Sequence, residues 1–161
     1  MLNSKIEKLM NEQIKHELYS AYLYLAMAAQ LESENLRGFG HWMKKQSGEE
    51  MEHAMKFYEF INERGGRVDL QAIDQPAKEF GKPQEIFAAA LEHEQKVTAL
   101  INNIYKAALE ENDYASQTFL HWYINEQVEE ESAATEILET LKLIGDKGQA
   151  IYQLDRQLAQ R

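Results

Sequence analysis

A helical repeat that proline hardly interrupts most constrains what this chain can fold into. Apolar residues recur every three or four positions through most of the sequence, and the only prolines are Pro76 and Pro83. That spacing puts apolar side chains on one face of an α-helix, and no sustained two-residue alternation predicts a strand. Four long helices are predicted over about residues 4–32, 36–64, 83–111 and 114–144, and a short amphipathic one over about 148–159. The sequence therefore predicts one all-α domain over residues 1–161.

The connection between the second and third predicted helices decides the topology. It covers residues 65–82, begins at two glycines and ends before Pro83, which suits the first turn of a helix. Antiparallel neighbours in a bundle need only about 2–8 linking residues, whereas this segment can extend roughly 55 Å and span a helix of roughly 40 Å. We therefore expect two antiparallel hairpins joined by one long crossover. The predicted fold is a four-helix bundle over about 4–144, with parallel second and third helices and a short fifth C-terminal helix.

Two helix starts carry recognisable capping residues. Ser4 is the predicted N-cap of the first helix, and Glu7 three residues later would complete a capping box. Asp113 is the predicted cap of the fourth helix, after a short break at Asn112.

Composition excludes several classes of site and partner. The chain has no cysteine, so disulfides, iron–sulfur clusters and thiolate zinc sites are excluded, and any metal must be held by oxygen and imidazole ligands. A formal net charge of −10 repels nucleic-acid phosphates and anionic lipids and attracts cations. No apolar run approaches the roughly 18 residues of a membrane span, and the N-terminus does not resemble a signal peptide. We expect a cytoplasmic protein without nucleic-acid or membrane partners.

Each of the four long predicted helices carries a glutamate within its apolar stripe. The four residues are Glu17, Glu50, Glu94 and Glu130. On the fourth helix the stripe is predicted to begin at Phe119. Burying a bare carboxylate costs several kcal/mol, and no lysine or arginine lies on these stripes to compensate. Either all four carboxyl pKa values are strongly raised, or two divalent cations cancel the charge.

His53 adds a nitrogen ligand to this pattern. Glu50 and His53 form a Glu-x-x-His pair, and residues three apart project from the same face of a helix. The pair alone is a weak signal, because it occurs by chance in many helices. Its coincidence with glutamates on the other three stripes predicts a two-metal carboxylate site in the core.

At these residues the sequence resembles the bacterial non-haem ferritins over nearly its whole length. The resemblance is carried by segments 11–13, 17–24, 40–46, 49–54, 92–94, 122–123 and 126–130. It implies a ferritin-like bundle that assembles into a hollow cage of twenty-four subunits, binds Fe(II), oxidises it with O2 or H2O2 and stores Fe(III) mineral inside.

The resemblance also implies a set of iron ligands. Glu17, Glu50 and His53 would hold a first iron ion. Glu50, Glu94 and Glu130 would hold a second, so that Glu50 bridges the di-iron centre.

Further residues are implied beside this centre. A third iron ion would be held by Glu49, Glu126, Glu129 and Glu130. Gln127 would lie next to the centre and belong to both the metal-binding and the catalytic residues.

Two aromatic residues and one methionine complete the resemblance. Tyr24 and Trp122 match aromatic residues next to the centre, and Tyr24 would supply an electron or a hydrogen bond. Met51 occupies the position of the haem-binding methionine of bacterioferritins. Bacterial ferritins often carry methionine there without haem, so haem is not expected. The fourth helix has Gln127 and Glu130 in place of a second Glu-x-x-His, which argues against bacterioferritin and rubrerythrin.

Three functions are compatible with these observations. The first is a ferroxidase that stores iron. The second is a di-iron oxidase or peroxidase without a storage role, which would share the ligands and differ in assembly. The third is a non-catalytic helical interaction module with unusually polar stripes, which would bind no stoichiometric metal.

Overall fold

The computed structural model describes residues 1–161 and contains five helices and no strand. The helices are α1 (Ser4–Ser33), α2 (Arg37–Glu63), α3 (Pro83–Glu110), α4 (Tyr114–Ile144) and α5 (Gly148–Leu158). The all-α prediction is confirmed, and the helix bounds agree with the sequence to within one or two residues. None of these helices combines the length and the apolar character that a membrane crossing requires.

The two hairpins are joined by the predicted crossover. A turn at residues 34–36 makes α2 antiparallel to α1. Helix α3 is antiparallel to α1 as well, because Lys5 pairs with Glu110 at 2.8 Å while Tyr24 contacts Glu94 further along. Helices α2 and α3 are therefore parallel, as the length of the connection predicts.

Two amide side chains of α1 hold the crossover along the bundle. Asn11 donates to the carbonyl of Arg67 and accepts from the N–H of Asp69, at 3.0 and 2.7 Å. Gln30 donates to the carbonyl of Gly81 and accepts from the N–H of Phe80, both at 2.7 Å. The two anchors are about 29 Å apart at about 1.5 Å per residue of helix, so the crossover runs along most of α1.

The start of α1 differs from the prediction. Asn3, not Ser4, is the N-cap: its backbone is extended, and its side-chain oxygen accepts from the N–H of Lys5 at 2.8 Å. Asparagine and serine are about equally good N-caps, so the sequence did not favour one over the other. The predicted capping box between Ser4 and Glu7 is therefore wrong.

The core consists of two apolar clusters with a polar layer between them. One cluster lies around Leu31, Phe39 and Phe87, and the other around Ile6, Phe57 and Ile104. Between them lie buried glutamates, glutamines and one histidine. These are Gln13, Glu17, Gln46, Glu50, His53, Glu94, Gln127 and Glu130.

One residue of the predicted core stripes is displaced. On α4 the fully buried residue is Leu120, and Phe119 is only partly buried. Phe119 stacks on Phe60 of α2 with ring centroids 4.0 Å apart. This aromatic pair occupies the edge of the bundle, so the smaller Leu120 fills the interior.

Asp113 makes the predicted cap of α4 and also joins α4 to the end of α2. Its Oδ1 accepts from the N–H of Ser116 at 3.1 Å, and its carboxylate pairs with Arg64 at 3.0 and 3.2 Å. Burial alone would raise the pKa of Asp113, but the hydrogen bonds from Arg64 and Ser116 outweigh burial and lower it.

We expect Asp113→Ala to lower the stability of the protein by about 1–2 kcal/mol, the usual cost of losing a helix cap. Because the pKa of Asp113 is lowered, its contribution is present above its ordinary value of 3.8 and is lost as pH falls through the folded-state value. Thermal unfolding at pH 7 checks this. Asp146→Ala is the control, because Asp146 is exposed and pairs only with exposed Lys82. Equal midpoints for the two variants would contradict the prediction.

Candidate metal centre

The four predicted carboxylates and His53 meet in the polar layer of the core. Glu17 comes from α1, Glu50 and His53 from α2, Glu94 from α3 and Glu130 from α4. Glu17, Glu50 and Glu94 are each 1% exposed, His53 is 3% and Glu130 is 6%. Each side chain lies on the buried face of its helix, which is why the three-to-four-residue apolar repeat predicted its position.

Two groups of ligand atoms share one residue. Atoms of Glu17, Glu50 and His53 lie within 4.8 Å of one another, as do atoms of Glu50, Glu94 and Glu130. Glu50 belongs to both groups, so it is the one residue placed to bridge two ions. The structure thus brings together the same two sets that the resemblance implies.

The imidazole of His53 faces acidic groups on both sides. Its Nδ1 lies 3.4 Å from Glu50, and its Nε2 lies 3.7 Å from Glu126. Atoms of His53, Glu126 and Glu130 form a third group within 4.8 Å. Glu126 is therefore placed beside the centre.

The other two residues implied for a third ion are placed differently. The carboxylate of Glu49 lies 2.5 Å from the guanidinium of Arg161, and Glu129 is exposed on α4. Neither belongs to the three groups of ligand atoms. Their role in a third iron position stays a prediction.

The buried carboxyl groups repel one another. Burial raises the pKa of Glu17 well above its ordinary value, and the charge of Glu50 raises it further. Burial likewise raises the pKa of Glu50 well above its usual range, reinforced by Glu94 and Glu130. Burial raises the pKa of Glu94 despite the hydrogen bonds it accepts, and it raises the pKa of Glu130 to about 7. Without a cation, burial and the neighbouring carboxylates therefore favour the protonated form of each of these groups.

The donor set fits a pair of divalent cations. His53 is the only basic side chain within ion-pair distance of the four carboxylates. The Oε2 atom of Glu17 is buried and has no hydrogen-bond partner. An orphaned carboxylate oxygen is costly in a folded core unless it binds a cation or a proton. Carboxylate oxygens with one imidazole are ligands that suit iron.

Three glutamines hold the carboxylates in place. Gln13 donates to Glu17 at 2.8 Å, and Gln127 donates to Glu94 at 3.1 Å. Gln46 donates to Glu50 at 3.2 Å and also to Glu130. Sequence reasoning gave no role to Gln13 or Gln46, although each precedes a buried glutamate by four residues and so faces it on the helix.

Aromatic residues complete the surroundings of the centre. The hydroxyl of Tyr24 donates to Glu94, and the hydroxyl of Tyr123 donates to the carbonyl of His53 at 2.7 Å. Trp122 meets the His53 ring edge-on with centroids 5.3 Å apart. Burial raises the pKa of Tyr24 well above its ordinary value, so its phenol stays protonated as a donor.

A bundle whose four helices each send a carboxylate to one buried centre, with one imidazole, defines a metal-carboxylate helical-bundle protein. The chain belongs to the ferritin family, since the Ferritin-like domain matches residues 7–144. It is 42% identical to a bacterial non-heme ferritin of Bacteroides fragilis over 161 residues, all of both chains. It is 37% identical to one of Campylobacter jejuni over 158 residues, 98% of this chain and 95% of the relative.

Solved structures of one archaeal ferritin superpose closely on this chain. The open pore ferritin of Archaeoglobus fulgidus is 45% identical, with a TM-score of 0.99 over 100% of this chain and 99% of that one. An engineered closed form of that ferritin also has a TM-score of 0.99 at 45% identity, over 100% of this chain and 98% of the other. The subunit fold therefore does not distinguish an open assembly from a closed one.

Proposed function

We propose that this chain is a ferritin subunit that oxidises Fe(II) at the buried carboxylate centre and stores the Fe(III) product inside a cage. One observation carries the proposal. Four carboxylates and one imidazole converge from four helices with no lysine or arginine to balance them, and one carboxylate oxygen has no partner at all. A cationic substrate would supply the positive charge that no lysine or arginine provides.

Iron is a substrate at this centre. Glu17, Glu50 and His53 would bind one Fe(II), and Glu50, Glu94 and Glu130 would bind another, each ion displacing protons from the carboxyl groups. Two Fe(II) ions side by side give up two electrons, and O2 takes them with two protons to form H2O2. One imidazole and several carboxylates hold iron less tightly than an all-nitrogen site would, so the Fe(III) product can leave.

The protein's own groups prepare the site for this exchange. Gln46 and Gln127 donate to the carboxylates and hold them in place when protons leave. The Tyr24 phenol donates to Glu94 from within the core, which supports a role for Tyr24 in supplying a hydrogen bond or an electron. The third group, with His53 and Glu126, extends the acidic surface from the centre toward the more exposed side of α4.

Assembly into a hollow cage follows the resemblance to bacterial ferritins. Exposed apolar side chains lie on α1 and on the crossover, including Tyr22, Leu25, Leu70 and Ile73. Contiguous apolar patches are typical of surfaces that bury against another subunit, and we expect these side chains to lie in such a contact. We propose twenty-four copies per particle.

Anaerobic Fe(II) titration followed by oxygen, with light scattering for particle size, tests the proposal. We expect a large particle that binds two or three Fe(II) per chain without oxygen and then takes up far more iron than it has sites. A small particle with two irons per chain and no further uptake would favour a di-iron oxidase. If the protein binds no stoichiometric metal and Fe(II) and Zn(II) do not change its thermal stability, the chain is a helical interaction module instead.

A further inference from the structure

Arg161, which follows α5, reaches back to the edge of the metal centre. Its Nη2 lies 2.5 Å from a carboxylate oxygen of Glu49, and its Nη1 donates to Oε1 of Gln46 at 2.9 Å. The guanidinium also lies over the ring of Trp42, 4.6 Å from the centroid. Three contacts to α2 fix an arginine whose side chain is only 29% exposed.

The docking of α5 sets this position. Oδ1 of Asp155 accepts from the N–H groups of Gly38 and Phe39, at 2.7 and 2.9 Å. These are first-turn donors of α2 that have no partner within the helix. A Cβ at Gly38 would lie 1.6 Å from the carbonyl oxygen of Asp155, so only glycine permits this approach. Leu154 is buried beside them. The end of α5 is therefore aimed along α2 toward Glu49.

Glu49 is one of the carboxylates implied for the third iron position, and Arg161 already neutralises it. A guanidinium and a metal ion cannot both use the same carboxylate oxygen without sharing its charge. We propose that Arg161 is an internal cation that competes with a metal ion for Glu49 and so weakens the third metal position beside the di-metal centre. This inference rests on the proposed function, because it assumes that the third position takes metal.

The second contact of Arg161 connects the third position to the other two. Because Nη1 donates to Oε1 of Gln46, the amide nitrogen of Gln46 faces Glu50 and Glu130. Glu50 is shared by both groups of ligand atoms. Arg161 thus also contacts the glutamine that holds two of the ligand carboxylates, and we expect Gln46 to keep its bonds to Glu50 and Glu130 when Arg161 is replaced.

Calorimetric titration of the metal-free assembled protein with Zn(II) tests the competition, since Zn(II) has no redox chemistry. We expect Arg161→Gln to tighten the weakest of the three Zn(II) sites about 10-fold, a typical size for a charge-assisted pair that is partly buried. Arg161→Lys keeps the charge but not the fork of donors, and we expect an affinity between those of Arg161→Gln and the wild type. In a Glu49→Gln background, Arg161→Gln should change no affinity.

Arg156→Gln is the matched control. It removes the same charge from the C-terminal segment, and Arg156 is exposed and hydrogen-bonds to Tyr152 rather than to α2. We expect Arg156→Gln to behave as the wild type. An unchanged third site in Arg161→Gln, or an equal effect of Arg156→Gln, would overturn the competition. A loss of the two tight sites in Arg161→Gln would also overturn it and leave Arg161 a structural role only. Absence of Zn(II) binding in the wild type would instead refute the proposed function.

Discussion

Glu50→Gln is expected to abolish the fast phase of Fe(II) oxidation and to lower its initial rate by at least about 100-fold. Loss of a mere outer-shell partner of a metal ligand typically costs 10–100-fold, and Glu50 is expected to touch both ions directly. It is the one residue common to the Glu17–His53 group and the Glu94–Glu130 group. An amide cannot bridge two cations as a carboxylate does. Stopped-flow mixing of the anaerobic Fe(II)-loaded protein with oxygen measures the rate.

The amide preserves the fold and the acceptor that Gln46 uses, so the loss reports on metal binding. His53→Ala is a second variant, and we expect it to remove the fast phase by emptying one ion position. The control is Glu52→Gln, which lies between these two residues on α2 but is exposed. A fast phase that survives in Glu50→Gln, or that Glu52→Gln removes equally, would place the oxidation elsewhere on the protein.

The fold was predictable because its cause is periodic and local. Four long apolar repeats require four helices, and the residues 65–82 are too many for a tight hairpin, so a crossover follows. The wrong predictions concern positions at which either of two neighbouring residues would give the folded protein nearly the same free energy. Asn3 replaced Ser4 as a cap, and Leu120 replaced Phe119 in the core.

The centre was predictable for a different reason. Carboxylates are costly in a core, so glutamates on apolar stripes indicate a compensating ligand. The same reasoning says nothing about residues whose contribution depends on a distant contact. Arg161 lies 112 positions from Glu49 in sequence, and only the docking of α5 brings the two together. No periodic pattern contains that information.

The rotation of each helix also had to come from the structure. Glu126 faces His53, whereas Glu129 points outward and Glu49 turns to Arg161. The directions in which these acidic side chains leave their helices differ by only a fraction of a helical turn. The spacing of apolar residues does not determine such small differences. The clustering of the four buried carboxylates and His53 therefore follows from the sequence pattern, but the arrangement of the outer acidic residues does not.

Glu17→Gln is expected to make the metal-free protein more stable and the metal-loaded protein less stable than the wild type. The Oε2 atom of Glu17 has no partner, and burial with the charge of Glu50 raises the pKa of Glu17. A group with a raised folded-state pKa contributes stability that is present below its unfolded value of about 4.5 and is lost as pH rises through the folded value. Glutamine does not titrate and brings no charge into the buried site.

The expected gain of metal-free Glu17→Gln at pH 8 is roughly 1–3 kcal/mol, the size that linkage gives for a buried carboxyl group whose pKa is raised in the folded state. The gain should vanish below about pH 4.5, where Glu17 is protonated in both states. Saturating Zn(II) reverses the order, because a ligand at about 100 times its Kd stabilises the wild type by about 2.7 kcal/mol and the variant lacks one carboxylate ligand. Thermal midpoints at equal protein concentration, at both pH values and with and without Zn(II), measure this. Glu136→Gln, on the exposed face of α4, should change none of them. If metal-free Glu17→Gln is no more stable than the wild type at pH 8, the buried carboxylate costs the fold nothing, and a cation is not needed to explain it.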